Sequence, residues 1–394
     1  MNITEICRGI YYAGVNNRSA DLFEEMWPVP AGVSYNSYIV VGEKVALIDT
    51  VHITKCANFL ARVKAIIGSK PIDYLVINHM EPDHSGSIGL IKQQYPDIII
   101  VGNAKTVEMI NGYYGINEGV QIVKDKDVID LGDTKTLQFF LTPMVHWPET
   151  MMTYVSQEQV LFSGDAFGCF GALRGAVVDK DMDTSDYMPE MRRYYASIVA
   201  KYGTMVGNAI KKLSALPVSY ICSTHGPVWS DRAGEVIELY GRMSRWESEP
   251  GVVIAYGSMY GNTEEAAETV ADELSAQGVK NIRLYNLSHT NYSYILADVM
   301  RFKSIVIGAP TYNNGLFPPA EQLLRALAMR DVKNRTLSYF GSCTWAMAAT
   351  KRIAAEIEGM KTELVGTPVE IKQSPNEAAV EALRQLAREI AAQQ

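Results

Sequence analysis

Residues 75–87 read LVINHMEPDHSGS and bring His79, Glu81, Asp83 and His84 within six positions, directly after the apolar run YLVIN. Imidazoles and carboxylates are the side chains that bind metal ions through nitrogen and oxygen. A solvated polar turn needs neither an apolar strand before it nor the Ser85-Gly86-Ser87 hinge after it, so the cluster reads as a metal site. Three further candidates close apolar runs: His146 after TLQFFLTPMV, Asp165 after VLFSG and His225 after VSYICST. Each alone has a plainer reading, since a loop histidine is usually just hydrogen-bonded and Gly-Asp is common in turns. Together they predict strand ends converging on one pocket.

A second constellation lies in the last third of the chain. Residues 256–263, YGSMYGNT, join the strand-like VVIAYGS to a helix beginning at TEEAAE. A strand, a small hydroxyl-bearing loop and a helix N-terminus form an anion cradle. The loop carries no Lys or Arg and neither GxGxxG nor GxxxxGK[ST]. A phosphate monoester would rest here on backbone N–H groups and the Ser258 and Thr263 hydroxyls, with Met259, Tyr260, Gly261 and Asn262 around it. The plainer alternative makes Thr263 a helix cap ahead of Glu264 and Glu265. Two more loops follow apolar strands. APTYNNG supplies Pro310, Thr311, Tyr312, Asn313 and Asn314, and GSCTWAM supplies Ser342, Thr344 and Trp345. In open α/β sheets, ligands bind at such carboxyl ends. Tyr312 and Trp345 offer faces to a flat ring, and Asn313 and Asn314 offer polar groups to its edge. Core packing is the other reading of Trp345.

The elements that must hold these groups fall into two blocks. The chain has 394 residues, too many for one ordinary core. Residues 1–249 are dominated by paired β-type runs such as SYIVVGEKVALIDT, as in an α/β sandwich built from hairpins. Residues 250–394 alternate strands with helices such as TEEAAETVADELSAQG, implying a doubly wound parallel sheet. The polar ESEPG stretch marks the boundary. The composition is 47% hydrophobic and 20% charged, with a net charge of −8, which argues against a nucleic-acid partner. The N-terminus lacks a signal-peptide pattern and no apolar run is long enough for a membrane span, so a cytoplasmic location is expected. The five cysteines form no CxxC pair, which argues against a rubredoxin-type or zinc-ribbon site.

The pattern HxExDH followed by His146, Asp165 and His225 resembles the metallo-β-lactamase fold, whose hydrolases usually carry HxHxDH. Glu81 in place of the second histidine, the HWPET context of His146 and the flavodoxin-like second block resemble the flavodiiron proteins (A-type flavoproteins). The likeness runs along essentially the whole chain. It implies an N-terminal metallo-β-lactamase-like αββα sandwich and a flavodoxin-like FMN domain. It implies two irons: His79, Glu81 and His146 on one, Asp83, His84 and His225 on the other, Asp165 between them. Independently, three carboxylates beside four imidazoles favour a hard redox metal over zinc. Trp147 and Tyr194 are candidates to surround the metals, with core packing an equal reading of Tyr194.

The resemblance further implies reduction of dioxygen to water or of nitric oxide to nitrous oxide. Electrons would come from an external carrier such as rubredoxin, since no such module is appended. It also implies a head-to-tail homodimer, or a dimer of such dimers. One departure concerns the loop SADLFEEMWPVP (19–30), where some relatives place a histidine and this chain has none. His52 stands too far along the chain to be assumed a substitute. Two competing readings are a zinc hydrolase with a regulatory flavin domain and an FMN electron carrier with a non-catalytic first domain.

Overall fold

The computed structural model describes residues 3–394. Up to Ser244 the chain forms one compact unit, and Arg245–Gln394 forms a second.

The first unit is built on two sheets. Seven strands form one, in the order Thr4–Cys7, Ile10–Tyr12, Tyr38–Val41, Val45–Ile48, Tyr74–Val76, Ile99–Gly102 and Val120–Ile122. Five form the other: Val128–Gly132, Lys135–Leu141, Met151–Val155, Val160–Gly164 and Tyr220–Ser223. Period-two alternation decides how they meet. Val40, Ala46, Ile48 and Val76 from the first sheet share one buried cluster with Leu137, Phe139, Val155 and Phe162 from the second. Helices cover the outside. Cys56–Ile67 buries Cys56, Phe59, Val63 and Ile67, one stripe at helical spacing. The result is the expected αββα sandwich.

Pairing direction brings the site residues together. Lys135–Leu141 is antiparallel to Met151–Val155, which is antiparallel to Val160–Gly164, so the first and third run the same way. Tyr220–Ser223 is parallel to Val160–Gly164. Three carboxyl ends therefore leave the second sheet at one edge, carrying His146, Asp165 and His225. His146 is the outlier, since its strand ends at Leu141 and a turn bridges the gap.

The second unit is a parallel sheet in the order Ile282–Asn286, Glu249–Tyr256, Phe302–Tyr312, Lys333–Cys343, Lys361–Leu364. The order by sequence, 2-1-3-4-5, is that of flavodoxin-like folds. The run TPVEIK, apolar at alternate positions, reads as the fifth strand. Two short strands share that place: Val369–Lys372 pairs the end of Lys333–Cys343 and Lys361–Leu364 pairs its start. The KTEL strand is a polar edge with little buried surface, so it leaves no hydrophobic pattern to read. Helices Asn262–Ala276 and Glu377–Ala391 cover one face through Ala266, Val270, Leu383 and Leu386 against Val252, Ile254 and Val306.

Candidate metal centre and phosphate cradle

The strand Tyr74–Val76 runs out through Ile77 and Asn78 to His79. Asp49 clamps that exit, accepting from Asn78 N at 2.7 Å and Asn78 Nδ2 at 3.0 Å. Pro82 then opens a four-residue helix, Pro82–Ser85, with Glu81 at its cap. Proline at the first helical position presets φ and lacks only an N–H that has no helical partner. That single turn projects Asp83 and His84 inward. Ser85 Oγ donates to Met80 O, and Thr50 N donates to His84 O.

All seven predicted ligands meet in one place and sort into two groups. His79, Glu81, His146 and Asp165 form one, and Asp83, His84 and His225 form the other. Within each, one donor atom per residue lies within 4.8 Å of the rest. Glu81 Oε2 is 3.2 Å from His79 Nε2 and 3.1 Å from His146 Nε2. Asp83 Oδ2 is 3.1 Å from His84 Nε2 and 3.3 Å from His225 Nε2. Asp165 divides between them. Its Oδ2 faces His146 Nε2 at 3.0 Å and His79 Nε2 at 3.4 Å. Its Oδ1 faces His84 Nε2 at 3.0 Å and His225 Nε2 at 3.7 Å. His84, adjacent to Asp83, does swing to the same side, its ring centroid 4.7 Å from that of His225.

Several of these atoms are orphans. Both oxygens of Asp83, His84 Nε2 and His225 Nε2 are buried without a hydrogen-bond partner. They stand close to one another without hydrogen-bond alignment. Converging buried donors left unpaired carry a large desolvation cost unless a cation fills the gap. The residues thus fit a metal pair.

The electrostatics agree. Burial opposes charge on His79, yet Asp165, Glu149 and Glu81 overcome it and push it up to about 10. His146 rises against its burial to about 9, through Asp165 and Glu81. Glu81 falls to about 2 despite burial, held down by His146 and His79. Asp165 is held well below the carboxylate range by His84 and His79, which outweigh its burial. The pocket therefore holds dense negative charge that only cations can balance, either protons on the imidazoles or metal ions in their place.

Surrounding groups fix the rings. Glu149 Oε1 sits 2.8 Å from His79 Nδ1 and accepts from Met80 N at 2.9 Å. Ser34 O lies 2.7 Å from His225 Nδ1. Each contact turns Nε2 toward the centre, as histidine ligands generally require. Thr224 Oγ1 donates to Asp165 Oδ1. Gly226, at φ +78°, leaves room that a Cβ would take, 2.2 Å from Cys169 Sγ. Trp147 places its ring 5.2 Å from His79, edge to face. Tyr194 is fully buried, 5.5 Å from the His225 ring, and its hydroxyl has no hydrogen-bond partner. It is at once a core residue and a neighbour of the site.

Glu149, Ser34, Asp49 and Glu24 were not foreseen. Glu149 stood inside the quoted HWPET, where a Glu after Pro reads as a turn. Glu24 lies in the loop that was searched for histidine alone. Burial and then the Glu81 carboxylate push Glu24 up to about 8, and Trp27 Nε1 donates to it at 2.9 Å. Glu24 lines the mouth of the centre, a polar cavity of about 570 Å³ shared with Asp21, Glu25, Glu81 and Asp83. His52 belongs to neither ligand group, but it lines the same mouth, stacked on Tyr35 at 5.7 Å. Distance along the chain was a poor guide to its place.

In the second unit three loops gather at adjacent carboxyl ends. Ser258, Met259, Tyr260, Asn262 and Thr263 enclose a small cavity of about 70 Å³ with Pro310, Thr311, Ser342 and Thr344. Cys343 and Gln373 complete its wall and were not foreseen. The helix begins at Asn262, with Gly261 at its cap in a left-handed conformation, φ +97°. Thr263 is thus inside the first turn rather than at the cap, and its hydroxyl meets Ser342 Oγ at 2.8 Å. Ser258 Oγ accepts from Gly261 N at 3.1 Å. Free N–H groups, hydroxyls and the start of a 15-residue helix suit a phosphate without any cationic side chain. Tyr312, Asn313, Asn314 and Trp345 stand outside that small cavity. Trp345 is 84% exposed, which rules out core packing, and Tyr312 is 44% exposed. Asn313 and Asn314 form the left-handed tip of the hairpin that pairs Thr311–Tyr312 with Gly315–Leu316. The residues fit a flavin mononucleotide: the cradle offers groups for a phosphate, and Tyr312 and Trp345 offer exposed aromatic faces.

Comparison with known proteins completes the picture. The ODP family beta lactamase model matches residues 33–226, and the Flavodoxin model matches 254–385. The anaerobic nitric oxide reductase flavorubredoxin of Escherichia coli O1:K1 is 33% identical over 366 residues, covering 92% of this chain and 76% of that protein. Rubredoxin oxygen:oxidoreductase from Desulfovibrio gigas superposes with a TM-score of 0.95 at 29% identity, covering 100% of this chain and 98% of that one. The flavodiiron protein from Giardia intestinalis gives 0.92 at 26%, covering 100% and 97%. Likeness on this scale, across both units and in relatives that share the same two-part design, places the chain in the flavodiiron protein family.

Proposed function

We propose that this protein reduces dioxygen to water or nitric oxide to nitrous oxide at a diiron centre, with FMN relaying electrons from an external carrier such as rubredoxin. The observation that carries the reading is Asp165, whose two oxygens each face one of two converging sets of buried ligand atoms. His79, Glu81 and His146 would hold one iron and Asp83, His84 and His225 the other, with Asp165 facing both groups. The relatives' names support both gases as substrates.

When bound, the irons and FMN would supply the redox chemistry for reducing the diatomic. The protein's own residues set the conditions. Glu149 and Ser34 hold His79 and His225 with Nε2 facing inward. Trp147, Tyr194 and Phe23 wall the imidazoles with aromatic rings and exclude water. Both reactions consume protons, and the polar mouth lined by Glu24 and His52 gives the centre a route to water. In the second unit, Ser258 and Thr263 would hold the FMN phosphate, and Tyr312 and Trp345 would offer faces to its ring. We assign the metal domain to residues 1–249 and the FMN domain to 250–394, a boundary a few residues past the break between the compact units after Ser244.

A head-to-tail homodimer, or a dimer of dimers, would bring one chain's flavin near the other's irons, and closed symmetric dimers are the commonest oligomers. The charge of −8 fits no nucleic-acid role. Among the described residues, no helix is long and apolar enough to cross a membrane, and we assign the protein to the cytoplasm. The test is gas consumption by the iron- and FMN-loaded protein, reduced under anaerobic conditions. Loss of turnover in His79→Ala or Asp165→Ala with FMN retained supports the assignment. Full turnover in either folded, iron-deficient variant refutes it.

A further inference from the structure

A second cavity is lined in part by the chain neighbours of two metal ligands. It lies between the helices Gly203–Leu213 and Ala233–Ser244 and the strands Met151–Val155 and Val160–Gly164, with a volume of about 280 Å³. Val206, Ala209 and Leu213 line one side, Met152 and Leu161 another. No charged side chain reaches it, and its polar ones are Ser214 and Tyr240. Its outer end is exposed at Ser214 and Gly234. Its inner end is closed by Val145, Ala166 and Phe167, all buried. Val145 precedes His146 in the chain, and Ala166 follows Asp165. The apolar floor is therefore made by the backbone neighbours of two metal ligands.

The contrast with the polar mouth is chemical. The mouth carries Asp21, Glu24, Glu25 and His52, which suit water and protons. The apolar cavity offers water few partners, and cavities of this kind stay dry and take apolar guests such as xenon. Its volume lies at the lower edge of the roughly 300–1,000 Å³ of pockets for larger organic ligands. A small, uncharged occupant indifferent to hydrogen bonds suits these walls, and at the floor it stands against Val145 and Ala166, the chain neighbours of His146 and Asp165. Dioxygen and nitric oxide meet all of these conditions.

We propose that this apolar cavity is the docking and entry site of the gas substrate, distinct from the polar mouth that serves protons. The proposal rests on the gas-reductase reading above and adds to it the path by which the diatomic arrives.

Gly234 makes the path testable. A Cβ there meets nothing within 4 Å, and its φ is not positive, so Gly234→Leu can fill the outer end without displacing backbone. Ala209→Phe blocks deeper, and Gly234→Leu stands in for it if the phenylalanine variant does not fold. Crystals of the iron- and FMN-loaded protein under xenon pressure should show a xenon atom between Ala166, Phe167 and Ala209. Both variants should lower kcat/KM for the gas about tenfold, the scale at which a hydrophobic pocket senses added carbon. The kcat at saturating gas, iron content and FMN content should stay unchanged. Xenon absent from the cavity overturns the proposal. So does xenon bound there while folded, loaded variants keep the parent kcat/KM. A loaded parent protein that consumes neither gas overturns the reductase reading, and the entry route with it.

Discussion

Replacing Glu149 with Gln tests whether the groups around the ligands set metal affinity. Glu149 is fully buried, and its Oε1 holds both His79 Nδ1 and Met80 N. Despite that burial its carboxyl is held below the ordinary range, by the bond and charge of His79 and by Met80 N. The carboxylate is therefore ionised, and its contact with the imidazole is charge-assisted. Gln keeps the shape and one acceptor oxygen but removes the charge. A hydrogen bond to a charged group contributes about 1.5–3 kcal/mol, roughly twice a neutral one. The substitution should then cost about 1.5 kcal/mol, or close to tenfold in affinity. Removal of such outer partners generally costs about 10–100-fold. The assay is iron per FMN during titration with a chelator. In Glu149→Gln the iron held by His79, Glu81 and His146 should leave first, at about a tenth of the chelator needed by the parent protein. The iron held by Asp83, His84 and His225 should leave later. Equal resistance of both irons in the folded variant would refute the reasoning.

Further outcomes follow from the same geometry. The metal-free protein should lose stability as pH rises from 6.5 through about 9 and 10, because the raised imidazoles of His79 and His146 stabilise the fold only while protonated. Metal replaces those protons, so the loaded protein should stay flat over that window in thermal melts, and metal uptake at pH 7 should release protons. Arg335 is buried and donates to the carbonyls of Val299, Trp246, Asn334 and Met300. Arg335→Met should cost about 3 kcal/mol through the stranded carbonyls. It should lower the melting of the flavodoxin-like unit while leaving iron content unchanged. Thr263→Val should weaken FMN about fivefold, the loss of one hydrogen bond of about 1 kcal/mol, read by flavin fluorescence.

The sequence exposed the metal site because four of its ligands are chain neighbours and the other three follow apolar strands, His146 after an intervening turn. It exposed less of what surrounds them. Glu149 and Glu24 carry no spacing signal, since each acts through a contact that only the folded loop creates. His52 was set aside for its distance along the chain, yet the sandwich brings it to the mouth beside Glu81. Tyr194 was balanced between core and site, and the structure makes it both. The flavodoxin-like half was legible from its alternation of strand and helix, except where the polar KTEL strand hid at the sheet edge. The apolar cavity was invisible, because its walls are ordinary buried faces until two helices leave space between them.

The central claim is that this pocket holds iron and reduces a diatomic gas. It is tested most directly by reducing the FMN- and iron-loaded protein under anaerobic conditions with an artificial donor, then following O₂ and NO in separate gas-electrode runs. The account predicts turnover of at least one gas, in proportion to bound iron and abolished in Asp165→Ala. Consumption of neither gas, with flavin and both irons bound, would contradict it.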